Sequence, residues 1–438
     1  MHSELTRFPR PRSRSPESTK ALGVSVAHAI NLAAEDTPAG IAEALNTVRD
    51  YLDMDVAFVS EFIGDSRIIR YVDARQQPSP LLAGDIVPLT SGFCDDIVKA
   101  VLPGLIPDTA AVPRCSGRSS LRGSRVGSHL GVPLRFPDGH LYGAFCCFNR
   151  DADLSLNERD LRLMQIFGAI IARHLDVATQ RATEHHNSAG RVRDALGRGE
   201  PAIVYQPVFG LRDGMLLGAE ALARFPGPPQ RSPDLWFGEA AAVGLQVELE
   251  VQAIRNAIVG FQDIWPQARE MRLAVNASPG TILSKPFQDA MRQAPVGRLA
   301  IEITEHDRVE DYLALRRVLG ELHRHGGKIT VDDAGSGYAS LRHILQIEPD
   351  VIKLDISLTR DIDTSAGKRA LAGGLIEFAR QTNCVIIAEG VETAGELATL
   401  REMRVNSAQG YLLGRPAPAA DLGRRLAAGG HADAPILP

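Results

Sequence analysis

The sequence predicts an α+β domain joined by a helical linker to an α/β (β/α)8 TIM-like barrel with an antiparallel first strand. At 438 residues the chain is too long for one ordinary domain. Up to about residue 176, helical patterns alternate with strand hairpins, which is typical of an α+β unit. From residue 202 onward, eight short β-rich runs are separated mostly by helical stretches, which is the pattern of a barrel.

The first domain is expected to begin with a helix and a strand hairpin. Ile41, Leu45, Val48 and Leu52 recur at helical spacing and predict one buried face. Residues 55–75 contain two strand-like runs on either side of a Gly-Asp turn, which indicates a hairpin.

A second hairpin and a long helix are expected to close this domain. In residues 128–150, Asp138-Gly139 separates two apolar runs, and this dipeptide is a strong hairpin signal. A helix is predicted from Leu156 to about Gln180, with Ser155 as its cap. The helical pattern runs on into a polar linker, either a short signalling helix paired across a dimer or a solvated connection.

The eight runs of the second domain predict the eight barrel strands. Only five residues, GLRDG, separate the first two runs, between Phe209 and Met215. A parallel crossover needs a dozen residues or more, so these two strands are expected to form an antiparallel hairpin turning at Asp213-Gly214.

Composition indicates an ordinary soluble protein. Hydrophobic residues make up 44% and charged residues 23% of the chain. The net charge of −5 predicts no binding to a nucleic acid polymer or a membrane surface. The basic segment 1–20 lacks the apolar stretch of a secretory signal, and it is interpreted as a disordered tail. We therefore expect a cytoplasmic location.

The five cysteines form no CxxC pair and no metal-ligand spacing. We interpret them as reduced, packed thiols. A redox or chromophore role for Cys94 is a less favoured alternative. A loop containing Arg114, Arg118, Arg122 and Arg125 is interpreted as a solvated loop rather than an anion-binding lid.

Polar residues recur where barrel strands end, which is where barrel enzymes place their chemistry. So many carboxylates at one mouth would repel one another unless cations lie among them, and hard oxygen donors suit magnesium or manganese. Separate structural ion pairs are the alternative. The strand-end residues are Glu220, Asn276, Glu302, Glu305, Asp332, Asp333, Lys353 and Glu389.

These residues also carry a family resemblance. YQPVF, GAEALARF, VNAS, EITE, DDAGSGYASL, IKLD, AEGVET and AQGYLLGRP resemble, in order and spacing, the motifs of EAL-family phosphodiesterases, which hydrolyse cyclic di-GMP to linear pGpG. The N-terminal half, with GDIVPLTSGFCDDIV and HLGVPLRFPDGHLYGAFCCF, resembles GAF sensory domains. The domain prediction is a tail over 1–20, a GAF-like domain over 21–176, a linker over 177–190 and an EAL domain over 191–430.

The resemblance implies two magnesium or manganese ions and roles for particular residues. The implied metal ligands are Glu220, Asn276, Glu302, Asp332, Asp333 and Glu389, with Asp332 shared by both ions. The implied catalytic positions are Lys353, which orients the attacking water, together with Glu389, Glu220, Asp332 and Gln409. The implied substrate-binding positions are Gln206, Leu222, Arg224, Asp333 and Gln409.

The resemblance also implies a loop anchor, a homodimer and a sensory role. Glu305 resembles the acid that anchors the glycine-rich loop after the fifth strand. Ala334 stands where the family often has phenylalanine, which removes an apolar anchor from that loop but no metal ligand. We expect an unidentified small ligand at the GAF-like domain to regulate the phosphodiesterase. An inactive EAL domain that binds the dinucleotide or a protein partner is the alternative.

Overall fold

The computed structural model describes residues 38–432 except 116–124, 269, 304–308, 310 and 336–343. The chain divides into two compact units between Glu184 and His185. Within the described ranges, no helix combines the length and apolar character needed to cross a bilayer. Arg118 and Arg122 of the arginine-rich loop lie outside the described residues.

The N-terminal unit is an α+β fold built on one antiparallel sheet of six strands in the order β3-β2-β1-β6-β5-β4. Short 3₁₀ turns lie at Thr109–Ala111 and Pro113–Cys115. The other elements are α1 Pro38–Tyr51, β1 Val56–Ile63, β2 Ser66–Ala74, β3 Ile86–Pro88, α2 Cys94–Val98, β4 Leu105–Ile106, β5 Ser128–Arg135, β6 Leu141–Asn149 and α3 Glu158–Gly197.

Both predicted hairpins and the helical stripe of this unit are present. Ile41, Leu45, Val48 and Leu52 are all buried, at 4% exposure or less. The β5–β6 turn contains Gly139 at φ 89°, a left-handed conformation that glycine adopts without a steric penalty.

The closing helix begins later than predicted, and it continues through the predicted helical linker. It begins at Glu158, and the side chain of Asn157 caps it by accepting a bond of 3.0 Å from the backbone N–H of Arg159. The predicted cap, Ser155, instead donates its hydroxyl to Asp153 Oδ1 at 2.6 Å. The helix continues to Gly197 through the predicted helical linker over 177–190, whose residues before Gly190 include no glycine or proline.

The C-terminal unit is a closed eight-stranded barrel. Its strands are β7 Ala202–Gly210, β8 Leu216–Arg224, β9 Arg272–Asn276, β10 Leu299–Ile303, β11 Lys328–Ala334, β12 Val351–Leu354, β13 Val385–Ala388 and β14 Ser407–Ala408. Its helices are α4 Pro233–Ala242, α5 Gln246–Phe261, α6 Pro279–Leu283, α7 Lys285–Gln293, α8 Tyr312–Arg324, α9 Ile356–Thr359, α10 Ala366–Thr382, α11 Ala394–Glu402 and α12 Ala419–Ala427, and a 3₁₀ turn lies at Val296–Arg298.

The antiparallel first strand is confirmed. Strands β8 to β14 run parallel to one another, whereas β7 pairs antiparallel with both β8 and β14. The β7–β8 hairpin turns through Gly214, whose φ is 71°. Gln206 lies directly opposite Glu220 in this pair, so both side chains project from the same face of the sheet.

Candidate active site at the barrel mouth

A buried lysine lies at the centre of the barrel mouth. Lys353, on β12, is 1% exposed, and its Nζ atom contacts four carboxylates from four other positions around the barrel. The distances from Nζ are 3.2 Å to Glu220, 3.2 Å to Glu302, 3.1 Å to Asp332 and 2.8 Å to Glu389. The carboxyl ends of parallel strands converge here, so residues scattered over 170 positions meet in one cluster.

Two amides extend this cluster. Gln409 donates through Nε2 to Glu220 at 2.6 Å and to Glu389 at 2.7 Å. Its Oε1 atom is buried and has no hydrogen-bond partner among the described residues, so it can accept a bond from water or substrate. Asn276 donates through Nδ2 to Glu220 at 3.5 Å. The amides therefore orient the carboxylates as well as offering oxygen atoms of their own.

A bulge in β11 places the side chains of two consecutive aspartates at the same barrel mouth. Side chains normally alternate between the two faces of a strand. The β11–β12 register shifts between Val331 and Ala334, and Asp333 has φ 54°, a left-handed conformation that costs of order 1–3 kcal/mol. Asp332 and Asp333 consequently both present oxygen atoms to Glu389. The sequence pattern alone did not indicate this local distortion.

Carboxylates outnumber cations at this mouth, and the pKa values of the buried groups are shifted. Burial lowers the pKa of Lys353, but the four carboxylates outweigh burial and raise it well above its usual value. Burial raises the pKa of Glu389 to about 8 and that of Glu302 well above its ordinary range, against the opposing charge of Lys353. Burial also acts to raise the pKa of Glu220, but Lys353 and Gln409 outweigh it and lower that pKa.

The donor set fits divalent cations. Oxygen atoms of Glu220, Glu302 and Asp332 lie within 4.8 Å of one another, and so do those of Asp332, Asp333 and Glu389. Asp332 belongs to both groups. Carboxylate oxygens without histidine or thiolate are the ligands that magnesium and manganese prefer.

A cavity of about 640 Å³ opens beside the carboxylates. Leu222, Arg224 and Asn276 line it, and Arg224 is exposed and donates to the backbone oxygen of its neighbour Ala223 at 2.7 Å. Gln206 is buried and donates weakly, at 3.5 Å, to the Gly414 carbonyl rather than to a carboxylate. Leu222 and Arg224 follow Glu220 at alternate positions, so β8 connects the cavity to the acidic cluster.

Helices α4 and α5 also line the cavity, and two of their residues, Phe237 and Glu250, were missed in the sequence. Phe237 on α4 forms part of the apolar wall. Glu250 on α5 is 8% exposed and accepts hydrogen bonds from Ser278 N at 2.8 Å and Ser278 Oγ at 2.9 Å. A glutamate inside the apolar stripe of a helix is a signal of such a role, but many buried glutamates are purely structural.

The loop predictions have different outcomes. Glu305 lies outside the described residues, so its predicted anchoring role stays a prediction. Ala334 is fully buried and pairs with Leu354 at the end of β11. The side chain that replaces the expected phenylalanine therefore lies in the barrel core, where a methyl group occupies the position.

Comparison with known proteins identifies both units. Residues 189–416 match the family model of the EAL domain, and residues 39–175 match that of the GAF domain. The chain belongs to the EAL domain family. Its EAL domain is 32% identical over 251 residues to the cyclic di-GMP phosphodiesterase NbdA of Pseudomonas aeruginosa, an alignment covering 55% of this chain and 32% of that protein.

A second curated relative is similar in sequence, and a solved structure is similar in fold. The EAL domain is 30% identical over 254 residues to the probable cyclic di-GMP phosphodiesterase PdeD of Escherichia coli K12, covering 56% of this chain and 47% of that protein. The solved structure of the EAL enzyme Bd1971, with cAMP and cyclic di-GMP bound, covers 86% of this chain and 93% of that one at a TM-score of 0.53 and 18% identity. That last likeness shows the fold. The chain spans less than half the length of the two curated relatives.

Proposed function

We propose that the EAL domain hydrolyses one phosphodiester bond of cyclic di-GMP to give linear pGpG, using two divalent metal ions. The observation that carries this proposal is the convergence of five carboxylates, two amides and Lys353 at one barrel mouth. Relatives named as cyclic di-GMP phosphodiesterases support the substrate.

The metal ions would be held by Glu220, Asn276, Glu302, Asp332, Asp333 and Glu389. When bound, they supply charge that stabilises the phosphoryl transition state and acidify the attacking water. The excess of carboxylate over ammonium charge at the mouth supports this role. Burial, and after it repulsion between the carboxylates, raises the pKa of Glu302 and of Glu389, and additional cations would relieve that repulsion.

The residues of the chain itself have separate tasks in this proposal. Gln409 accepts a hydrogen bond from the attacking water at its unpaired Oε1 atom. Lys353 offsets negative charge that develops on the phosphate. Arg224 holds a substrate phosphate with its fork of donors, and Leu222 packs against a base in the adjacent cavity, whose wall includes Phe237. Gln206 orients the substrate beside β7.

The test is a hydrolysis assay with purified full-length protein, cyclic di-GMP and either Mg²⁺ or Mn²⁺, in which the linear product is separated by chromatography. We expect wild type to form pGpG only with metal, and Glu220→Gln to be roughly 10²–10³-fold slower because one oxygen ligand becomes an amide. Glu377→Gln is the matched control, since Glu377 is an exposed glutamate of α10 paired with Arg380. Wild type that binds cyclic di-GMP without cleaving it, with either metal, would establish the receptor alternative instead.

We further propose that the protein is a homodimer and that a ligand of the GAF domain regulates hydrolysis. Helix α3, which begins in the first unit and ends in the second, supports a physical connection between them. Sedimentation analysis tests the dimer. Hydrolysis rates of the full chain and of a chain beginning at His185 test regulation, and identical rates that respond to no effector would count against it.

A further inference from the structure

Four polar side chains meet inside the apolar core of the GAF domain. Cys94 at the start of α2 and Cys146 on β6 are 1% and 0% exposed, and their Sγ atoms are 3.2 Å apart. Arg67 on β2 donates through Nη1 to Cys94 Sγ at 2.8 Å. His129 on β5 is 2% exposed, and it brings a ring nitrogen within 4.8 Å of both sulfur atoms. Four separate elements thus contribute one residue each to this cluster.

The acceptor of Arg67 indicates the charge state of Cys94. Arg67 is 4% exposed, and it takes part in no salt bridge with a carboxylate among the described residues. A buried guanidinium needs an anionic neighbour, and within the described part of the chain the Cys94 sulfur is its hydrogen-bond acceptor. The hydrogen bond with Cys146, opposed by burial and aided by Arg67, lowers the pKa of Cys94 well below that of an ordinary thiol. Burial and the same bond raise the pKa of Cys146.

We propose that Cys94 and Cys146 form a peroxide-oxidisable dithiol, with Cys94 as the attacking thiolate and Cys146 as the thiol that resolves it. The oxidant we name is a small neutral peroxide rather than a bulky disulfide, because both side chains are buried. Closing the pair from 3.2 Å to a bond of about 2.05 Å needs only about 1 Å of approach. Packing beside the pair is tight at Gly131, where a Cβ atom would lie 3.2 Å from Cys146 Sγ.

The chemistry balances with one peroxide. The Cys94 thiolate attacks a peroxide oxygen, the S–O bond forms as the O–O bond breaks, and the departing hydroxide takes up a proton to become water. The Cys146 sulfur then attacks the sulfenic sulfur of Cys94, the S–S bond forms as the S–O bond breaks, and the second hydroxide leaves as water with the thiol proton. In total, the two thiols lose two electrons and form a disulfide, and one molecule of hydrogen peroxide is reduced to two waters.

A zinc site fits these residues less well. Tetrahedral zinc with Zn–S bonds of about 2.3 Å holds two thiolates roughly 3.8 Å apart, which is wider than the separation here. The buried charge of Arg67 beside Cys94 would also repel a dication. With one guanidinium and one thiolate, the cluster is already neutral.

The adjacent Cys147 provides an internal control. It is also fully buried, but successive side chains of β6 point to opposite faces of the sheet, and Cys147 contacts Met164 Sδ at 3.7 Å instead of a second thiol. Burial raises the pKa of Cys147. The proposal therefore predicts that Cys146 reacts and Cys147 does not.

The experiment treats the reduced full-length protein with a few equivalents of hydrogen peroxide, then denatures it, blocks free thiols and maps the tryptic peptides by mass spectrometry. We expect a Cys94–Cys146 crosslink that dithiothreitol reverses, with Cys384 and Cys147 blocked. Because Cys146 and Cys147 share one tryptic peptide, the mapping is repeated in Cys147→Ser, which should still form the crosslink. In Cys146→Ser, dimedone added with the denaturant should trap sulfenic acid on Cys94, and Arg67→Met should slow crosslinking at least tenfold.

Three outcomes would overturn the proposal. One is a Cys94 that stays reduced at peroxide doses that oxidise Cys384. Another is a crosslink that survives in Cys146→Ser through Cys147. The third is a purified protein that carries one zinc per chain and loses it in Cys94→Ser. The serine variants differ from wild type by a single atom each, so a folding defect in Arg67→Met leaves the proposal testable.

Discussion

The barrel mouth and the GAF core each bury a cation beside anionic partners, but the number of anionic partners for each cation differs. At the mouth, one ammonium group, Lys353, faces four carboxylates at 2.8–3.2 Å. In the GAF core, one guanidinium, Arg67, faces one thiol sulfur at 2.8 Å. An excess of anionic oxygen predicts a site that recruits further cations, whereas a balanced sulfur pair needs none and is suited to exchanging electrons.

The largest effect is expected from removing the lysine. Lys353→Met leaves four carboxylates without their internal cation, and loss of one buried partner costs about 3–5 kcal/mol of stability in the metal-free protein. Hydrolysis should fall roughly 10³-fold, and millimolar Mn²⁺ should restore much of the lost melting temperature. Lys285→Met, at an exposed lysine of the same unit, is the control. A variant as stable as wild type in chelator would mean that the charge excess is not real.

A smaller effect concerns the dependence of stability on pH, measured in chelator so that no bound metal contributes. Burial raises the pKa of Glu389 to about 8 in the folded state, above its value of 4.5 in the unfolded chain. Between these values the folded state retains a proton that the unfolded state has lost, so stability must fall as pH rises from about 5 to 8. Thermal melts should show this decline, and Glu389→Gln should flatten it. The GAF cluster should act in the opposite sense, because a pKa of Cys94 lowered in the folded state makes stability rise with pH below the unfolded value of 9.0.

The smallest effect should come from crowding the residues beside the sulfur pair. In Gly131→Ala, the new methyl group would lie 3.0 Å from both His129 Cε1 and Ile97 Cδ1, which is close enough to force a shift. We expect a loss of about 1–3 kcal/mol and slower crosslinking of Cys94, with metal binding by the barrel unaffected. Gly190→Ala, at a helical position with open space, should be neutral or slightly stabilising.

The sequence predicted the barrel better than it predicted the chemistry of the GAF core. Strand-end motifs are contiguous, so Glu302 or Asp332 could be recognised from neighbours that share one short run. The bulge at Asp333 could not be predicted, because it depends on pairing with β12. Cys94 and Cys146 are 52 residues apart, and only the sheet order brings α2 beside β6. The same absence of local spacing led us to interpret both as packing residues.

The helix boundary shows a different limit. Ser155 and Asn157 are both acceptable caps by residue type, and the hydroxyl of Ser155 is taken by Asp153. The start of α3 depends on which of these two side chains is free to cap the helix. Residue preferences for capping positions do not distinguish between serine and asparagine here. Glu250 likewise lay within a recognisable helix, and its position in the cavity wall follows from the packing of α5 against β9.

The reversed first strand changes where the barrel is attached to whatever precedes it. In an ordinary barrel, the chain enters at the end opposite the catalytic loops. Here β7 runs against β8, so its first residue, Ala202, pairs with Arg224 at the catalytic rim. The final turn of α3, which ends at Gly197, therefore delivers the chain to the rim within five residues. Any twist or shift carried by that helix would reach the substrate cavity first, without having to pass through the barrel's packed interior.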